Sequence, residues 1–279
     1  MKTIPGRAIA SDILQELKHH IDPSDPPGLG VVLIGTDPAS QLYVRRKLRA
    51  CREAGIAVEL VKLSESVSEQ HVLDAIRKFN SAKRIHGILV QLPLPKHLST
   101  DRIIHAIDPH KDADGFHPAQ RSSQVTVVPV LTQAVAECLK YAHQSIEGKT
   151  AVIIARAGSP MVSELRSWLV KRHAKTRIAT AVDKAVPYLP TSDIVIIGLG
   201  GLKNARILKG SMLKDGTTVI DIGIIRDPNN PKKIDGNVDA ESMKHLDGFI
   251  TPVPGGVGPL TIAFLLKNVV KLQQQSQSA

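Results

Sequence analysis

Apolar positions along the 279-residue chain switch repeatedly between two spacings. Over residues 9–21 they recur every three to four positions, as on a helix with one buried face. The next run, LGVVLIG at 29–35, is short, β-branched and continuous, and Gly35-Thr36-Asp37-Pro38 closes it, so it reads as a buried strand and its turn. The alternation goes on to predict helix 39–54, strand 57–63, helix 68–83, strand 86–92 and helix 99–107. Apolar strands separated by helices belong to a parallel sheet covered on both faces. Between 108 and 128 the pattern lapses, and Pro109, Gly115, Pro118 and Pro129 mark an irregular connection between domains. A helix over 130–143 leads to a second α/β series, with strands at 150–155, 176–181, 193–198 and 217–223, and with Ser159-Pro160 opening the helix between the first two. The fold class is therefore α/β and doubly wound. A last helix is expected from about Pro259 to Gln273, its polar end QQQSQSA fraying.

Composition narrows the function classes. Charged residues are 22% of the chain and apolar residues 42%, spread throughout, which excludes wholesale disorder. No stretch reaches the roughly 20 uninterrupted apolar residues a membrane span needs. The N-terminus lacks a signal peptide's apolar core, so a soluble, cytoplasmic protein with no membrane partner is expected. Cys51 and Cys138 are too few for a disulfide framework, and neither CxxC nor HExxH spacing occurs, so no metal site is expected. The excess of 36 Lys and Arg over 26 Asp and Glu gives a net charge of +10, which suits nucleic acid, an anionic membrane or small acidic ligands. Because the basic residues are interspersed with acidic ones and aromatics are only 3%, nucleic acid is not an expected partner.

Four segments hold candidate chemistry. In ASQLYVRRK (39–47), Tyr43 and Lys47 lie four apart on one helical face, where a ring can stack on a flat ligand and a desolvated amine can act as acid or base; a solvated basic helix is the plainer reading. In VQLPLP (90–95), Gln91 ends a buried strand, the place where α/β sheets bind ligands, or is simply a satisfied strand-end amide. KDADGFHP (111–118) offers two carboxylates in a loop, suited to an amino-pyrimidine edge or to an ordinary Asx turn. TPVPGGVGPLT (251–261) sets three glycines between prolines before a helix N-terminus, which suggests close backbone approach to a ligand or to another element.

In this order, together with the EAGI at 53–56 and the VIDIGI at 219–224, these segments resemble the bifunctional methylenetetrahydrofolate dehydrogenase/methenyltetrahydrofolate cyclohydrolase family over nearly the whole chain. The resemblance implies a folate-binding catalytic domain, 1–125 plus a returning C-terminal helix at 259–279, and a Rossmann-like NAD(P)-binding domain at 126–258. It implies Lys47 as the central acid/base, Gln91 as its hydrogen-bonded partner, Tyr43 as the ring beside the folate and Asp114 as the pterin anchor. Pro254, Gly255 and Gly256 would line the substrate, and Arg156, Gly158, Ser159, Asp183, Gly223 and Gly258 the cofactor. The partners implied are tetrahydrofolate derivatives and a second copy in a homodimer. The cofactor implied is NADP, with NAD as the alternative.

The cofactor half departs from the family pattern. Where the family has Gly-Arg-Ser, two variable residues, then Val-Gly-x-Pro, this chain reads ARAGSPMVS (155–163), keeping Arg156 in register and placing Met161 at the second glycine. After Gly198-Leu199-Gly200, Lys203 takes the third glycine of a GxGxxG reading. Asp183 stands where a serine would help hold a 2′-phosphate; like charge disfavours NADP there, while Arg156 favours it. Pro129-Val130-Leu131-Thr132 replaces Pro-Cys-Thr-Pro. Two further readings therefore stand beside the bifunctional one: a cyclohydrolase with little dehydrogenase activity, and a non-catalytic folate-binding homologue.

Overall fold

A computed structural model describes residues 1–121, 127–156, 160–227 and 230–277. In chain order its regular elements are β1 (Lys2–Thr3), α1 (Gly6–His19), β2 (Gly28–Ile34), α2 (Pro38–Ala54), β3 (Ala57–Leu63), α3 (Glu69–Ser81), β4 (Gly87–Val90) and α4 (Thr100–His105). There follow α5 (Val130–Tyr141), β5 (Thr150–Ala155), α6 (Pro160–Val170), β6 (Lys175–Ala179), α7 (Val182–Ala185), β7 (Ile194–Gly198) and β8 (Thr218–Asp221). The chain ends with β9 (Ile225–Asp227), β10 (Asn230–Asp235), β11 (Phe249–Ile250) and α8 (Val257–Gln277). No helix among the described residues is long and apolar enough to cross a membrane.

The chain divides into two compact units, one of Ser11–Val130 with Ile262–Ala279, the other of Met1–Ala10 with Leu131–Thr261. The first unit is built on a parallel sheet in the order β3-β2-β4. Every residue of β2, the central strand, and of β4 is buried, as their continuous apolar runs require in a parallel sheet covered on both faces. Val32, Ile34, Ile88 and Val90 pack with Val72, Ile76 and Phe79 of α3. The second unit is a six-stranded parallel sheet, β1-β11-β8-β7-β5-β6, with the antiparallel pair β9 and β10 beside it. Its core is formed by Val152, Ile154, Val195, Ile197 and Val219 with Val182 and Leu189. From β5 the chain winds first to β6 and then crosses to β7 on the other side, so a topological switch point lies between β5 and β7.

One expectation is overturned. The polar C-terminus does not fray after Gln273 but stays helical to Gln277. Gln273 is buried and its Nε2 donates to the Asp25 carbonyl at 2.7 Å, while Gln277 Nε2 donates to Asp25 Oδ2 at 2.7 Å. The glutamines are tied down by an aspartate far away in sequence, and such partners outweigh local composition.

Candidate active site

The first unit's site grows from two strand ends. After β2, Gly35 turns the chain at φ +79°, Asp37 accepts the Ser40 N–H and Pro38 occupies the first turn, so α2 starts from a fixed point. One turn apart on α2, Tyr43 and Lys47 are both half-buried, whereas the intervening Arg45 and Arg46 are exposed. At the other strand end, the Gln91 N–H donates to the Val32 carbonyl at 2.9 Å, extending the β2–β4 ladder by one bond. The Gln91 amide is oriented by its Nε2, which donates to the Leu92 carbonyl at 2.6 Å. That leaves Oε1 to accept from Lys47 Nζ at 3.1 Å.

Asp114 reaches the same unit on a loop tied at successive residues. Asp112 runs alongside Ile88 of β4 as a parallel bridge, and its carboxylate accepts the Gly115 N–H at 3.0 Å and the His117 N–H at 2.6 Å. Burial pushes the Asp112 carboxyl up to about 6. The Ala113 N–H donates to the Ile88 carbonyl at 3.2 Å, and the Asp114 carbonyl accepts the Val130 N–H at 3.2 Å. Gly115 has φ +77°, and a Cβ there would lie 2.9 Å from Pro129 Cα, so this crossing admits only glycine.

Lys47 and Asp114 act on each other electrostatically. Desolvation lowers the Lys47 ammonium below its usual range, and the Asp114 carboxylate works against that shift. Desolvation raises Asp114, and Lys47 works against it in turn. Burial thus favours the neutral form of both, and each charge is the main counterweight for the other. One turn further along α2, burial holds the Cys51 thiol up to about 12, so it stays protonated and is no rival nucleophile. Tyr43, Lys47, Gln91 and Asp114 are all in this unit, and the geometry joins a movable proton to a carboxylate able to grip N–H donors.

In the second unit the predicted residues are more scattered. Arg156 follows β5 and is exposed; its Nη2 lies 2.9 Å from where a Cβ on Gly200 would be, so the guanidinium reaches across the switch point to the loop after β7. Gly158 and Ser159 lie outside the described residues. Asp183 is exposed in the first turn of α7, just past β6. Gly223 answers to the protein's own packing, because a Cβ there would meet Asn237 Oδ1 at 1.9 Å. In the loop before α8, which holds Pro254, the Gly256 N–H donates to the Pro252 carbonyl at 2.8 Å and Gly255 has φ +114°. At Gly255 and at Gly258, in the first turn of α8, a Cβ would meet nothing within 4 Å.

Two residues of this second unit escaped sequence reasoning. Asn237 is fully buried; its Oδ1 accepts the Leu199 N–H at 2.9 Å while Nδ2 donates to the Leu199 and Asn204 carbonyls at 2.9 and 2.8 Å. It therefore straps the Gly198–Gly200 loop. Asp221, at the end of β8, accepts the Gly223 and Val238 N–H groups, and burial pushes its carboxyl up to about 6. The signals for Asp221 were its place in an otherwise apolar strand and in the VIDIGI segment at 219–224, and Asn237 gave none.

Two family models match the chain. One is the tetrahydrofolate dehydrogenase/cyclohydrolase catalytic domain, over residues 4–114, and the other that family's NAD(P)-binding domain, over residues 129–277. A bifunctional protein FolD of Streptococcus agalactiae is 39% identical over 290 residues, covering 99% of this chain and 98% of the relative. The solved bifunctional FolD of Campylobacter jejuni is 35% identical, with a TM-score of 0.89 and 98% of both chains covered. The FolD of Trypanosoma brucei, solved with NADP cofactor and an inhibitor, is 29% identical with a TM-score of 0.91, covering 99% of this chain and 98% of that one. The chain belongs to the tetrahydrofolate dehydrogenase/cyclohydrolase family.

Proposed function

We propose that this chain oxidises 5,10-methylenetetrahydrofolate to the methenyl cation with NAD(P) and hydrolyses that cation to 10-formyltetrahydrofolate, with the folate chemistry in the unit bearing α2 and β4. The observation that carries the reading is the Lys47–Gln91 hydrogen bond, 3.1 Å long, made by a half-buried amine beside Asp114. Asp114 grips the amino-pyrimidine edge of the pterin by accepting its N–H groups, and the Tyr43 ring lies along the folate. Lys47, lowered by burial, has a neutral fraction that can take a proton from water as the water oxygen bonds to the methenyl carbon. The same group returns that proton to N5 as the carbon–N5 bond breaks, and the hydroxyl on the carbon releases the water's second proton to solvent, which leaves the formyl group on N10. Gln91 accepts from the ammonium whenever Lys47 holds the proton, and so fixes the direction of the transfer.

Arg156, the loop at Gly200, Asp183 and the N-terminal turn of α8 at Gly258 are the groups we assign to the dinucleotide. When bound, its nicotinamide supplies an acceptor for the hydride of the methylene carbon. Arg156 supports NADP, and the Asp183 carboxylate supports the free 2′-hydroxyl of NAD. A cyclohydrolase with weak dehydrogenase activity is the second reading, favoured by Met161 standing where the family pattern has glycine. The family resemblance supports a cytoplasmic homodimer, which sedimentation and cell fractionation test. Formation of methenyltetrahydrofolate with NADP and with NAD tests the oxidation, and decay of supplied methenyltetrahydrofolate beyond its spontaneous rate tests the hydrolysis. Hydrolysis without turnover on either dinucleotide would establish the second reading; neither activity would remove both.

A further inference from the structure

We propose that Asn268 is a positioning residue for folate binding: from α8 it clamps the two crossing segments that present Asp114. The proposal rests on Asp114 being the pterin ligand. Asn268 is 3% exposed on a helix face where Leu265, Leu266, Val269 and Leu272 are buried as well. An amide in such a place costs stability unless its polar atoms are satisfied, so its presence calls for partners. Its Nδ2 donates to the Ala113 carbonyl at 2.9 Å and to the Val128 carbonyl at 3.3 Å. These carbonyls belong to the two irregular segments that cross at Asp114. Ala113 directly precedes Asp114, and Val128 precedes Pro129-Val130, whose Val130 N–H donates to the Asp114 carbonyl. At the crossing, a Cβ on Gly115 would lie 2.9 Å from Pro129 Cα and N, so the segments touch without an intervening side chain.

The Asn268 amide is thus bonded to both sides of the crossing. On the β4 side the loop is held by the Ala113 N–H on Ile88 and by Asp112, which fixes Gly115 and His117. On the opposite side, Asn268 ties the loop to α8. Without it, the buried Ala113 carbonyl and the Val128 carbonyl each lose a donor and the loop can relax in the direction that displaces the Asp114 carboxylate. The chemistry at Lys47 needs no contact from Asn268, so the effect belongs in substrate affinity rather than in the proton-transfer step.

The test is steady-state cyclohydrolase kinetics with methenyltetrahydrofolate on purified full-length N268A, D114A, the double variant and L272A, each with a thermal unfolding curve. The N268A protein is expected to show KM raised about tenfold with kcat within about twofold of the parent. L272A, which empties core volume one turn further along α8, is expected to melt earlier with KM unchanged. Because Asn268 acts through Asp114, adding N268A to D114A should raise KM no further. N268S, which keeps a single donor, gives an intermediate KM and replaces N268A if the alanine variant does not fold. An unchanged KM in N268A or N268S, a multiplicative rise in the double variant, or an equal rise in L272A overturns the proposal. An unchanged KM in D114A overturns instead the reading of Asp114 as ligand, and this proposal with it.

Discussion

In the first unit the groups assigned to the folate chemistry are side chains bonded to other side chains and to backbone, whereas in the second the contacts assigned to the dinucleotide fall on backbone and on two exposed side chains, Arg156 and Asp183. Lys47 is bonded to Gln91, Gln91 to Leu92, and the Asp114 loop is tied to β4 and α8. Arg156 reaches over Gly200, but Asp183 is solvent-exposed and Gly223 is filled from within by Asn237. A site made of bonded side chains tolerates few substitutions, because each loss leaves a buried polar partner unsatisfied. A site made of backbone N–H groups tolerates changes of residue type so long as the chain path survives. That difference accounts for a chain that keeps every folate-side motif of its family while its phosphate-binding segment drifts.

The comparison breaks most visibly at Lys47. K47A should lower cyclohydrolase kcat by about 10²–10⁴-fold while tetrahydrofolate still binds, measured by hydrolysis and by fluorescence titration. Undiminished hydrolysis would remove the lysine from its role. Next in size, R156A should weaken NADP binding by ~10- to 100-fold and leave hydrolysis untouched, which isothermal titration beside the hydrolysis assay reads out. A parallel fall in hydrolysis would mean that the two units do not divide the work as assigned. Smaller still, D183S should tighten NADP several-fold, by about 1 kcal/mol, with NAD affinity falling. No change in the ratio of the two affinities would show that the carboxylate points away from the ribose.

Much of this was legible from the letters alone, for identifiable reasons. Buried parallel strands are continuous apolar runs, so β2, β4, β5 and β7 announced themselves. By contrast β1 and β11 have two residues each and β9–β10 has no clean alternation, so they carry too little pattern to be seen. Lys47, Gln91 and Asp114 could be found because the order of their motifs matches a known family, not because spacing demanded their meeting. Asn237 and Asn268 could not be found, since their partners stand 38 and 155 residues away and one buried amide leaves no periodic trace.

The sharpest probe is the pH dependence of cyclohydrolase kcat at saturating methenyltetrahydrofolate, in the parent and in D114N, corrected for spontaneous hydrolysis. With neutral Lys47 as the proposed proton acceptor, the rate should rise with pH through its pKa, which burial sets below the usual lysine range. The Asp114 carboxylate holds that pKa up; removing its charge should move the rising limb to lower pH by about one unit. A limb that stays in place, or moves to higher pH, would contradict the coupling of amine and carboxylate on which the assignment stands.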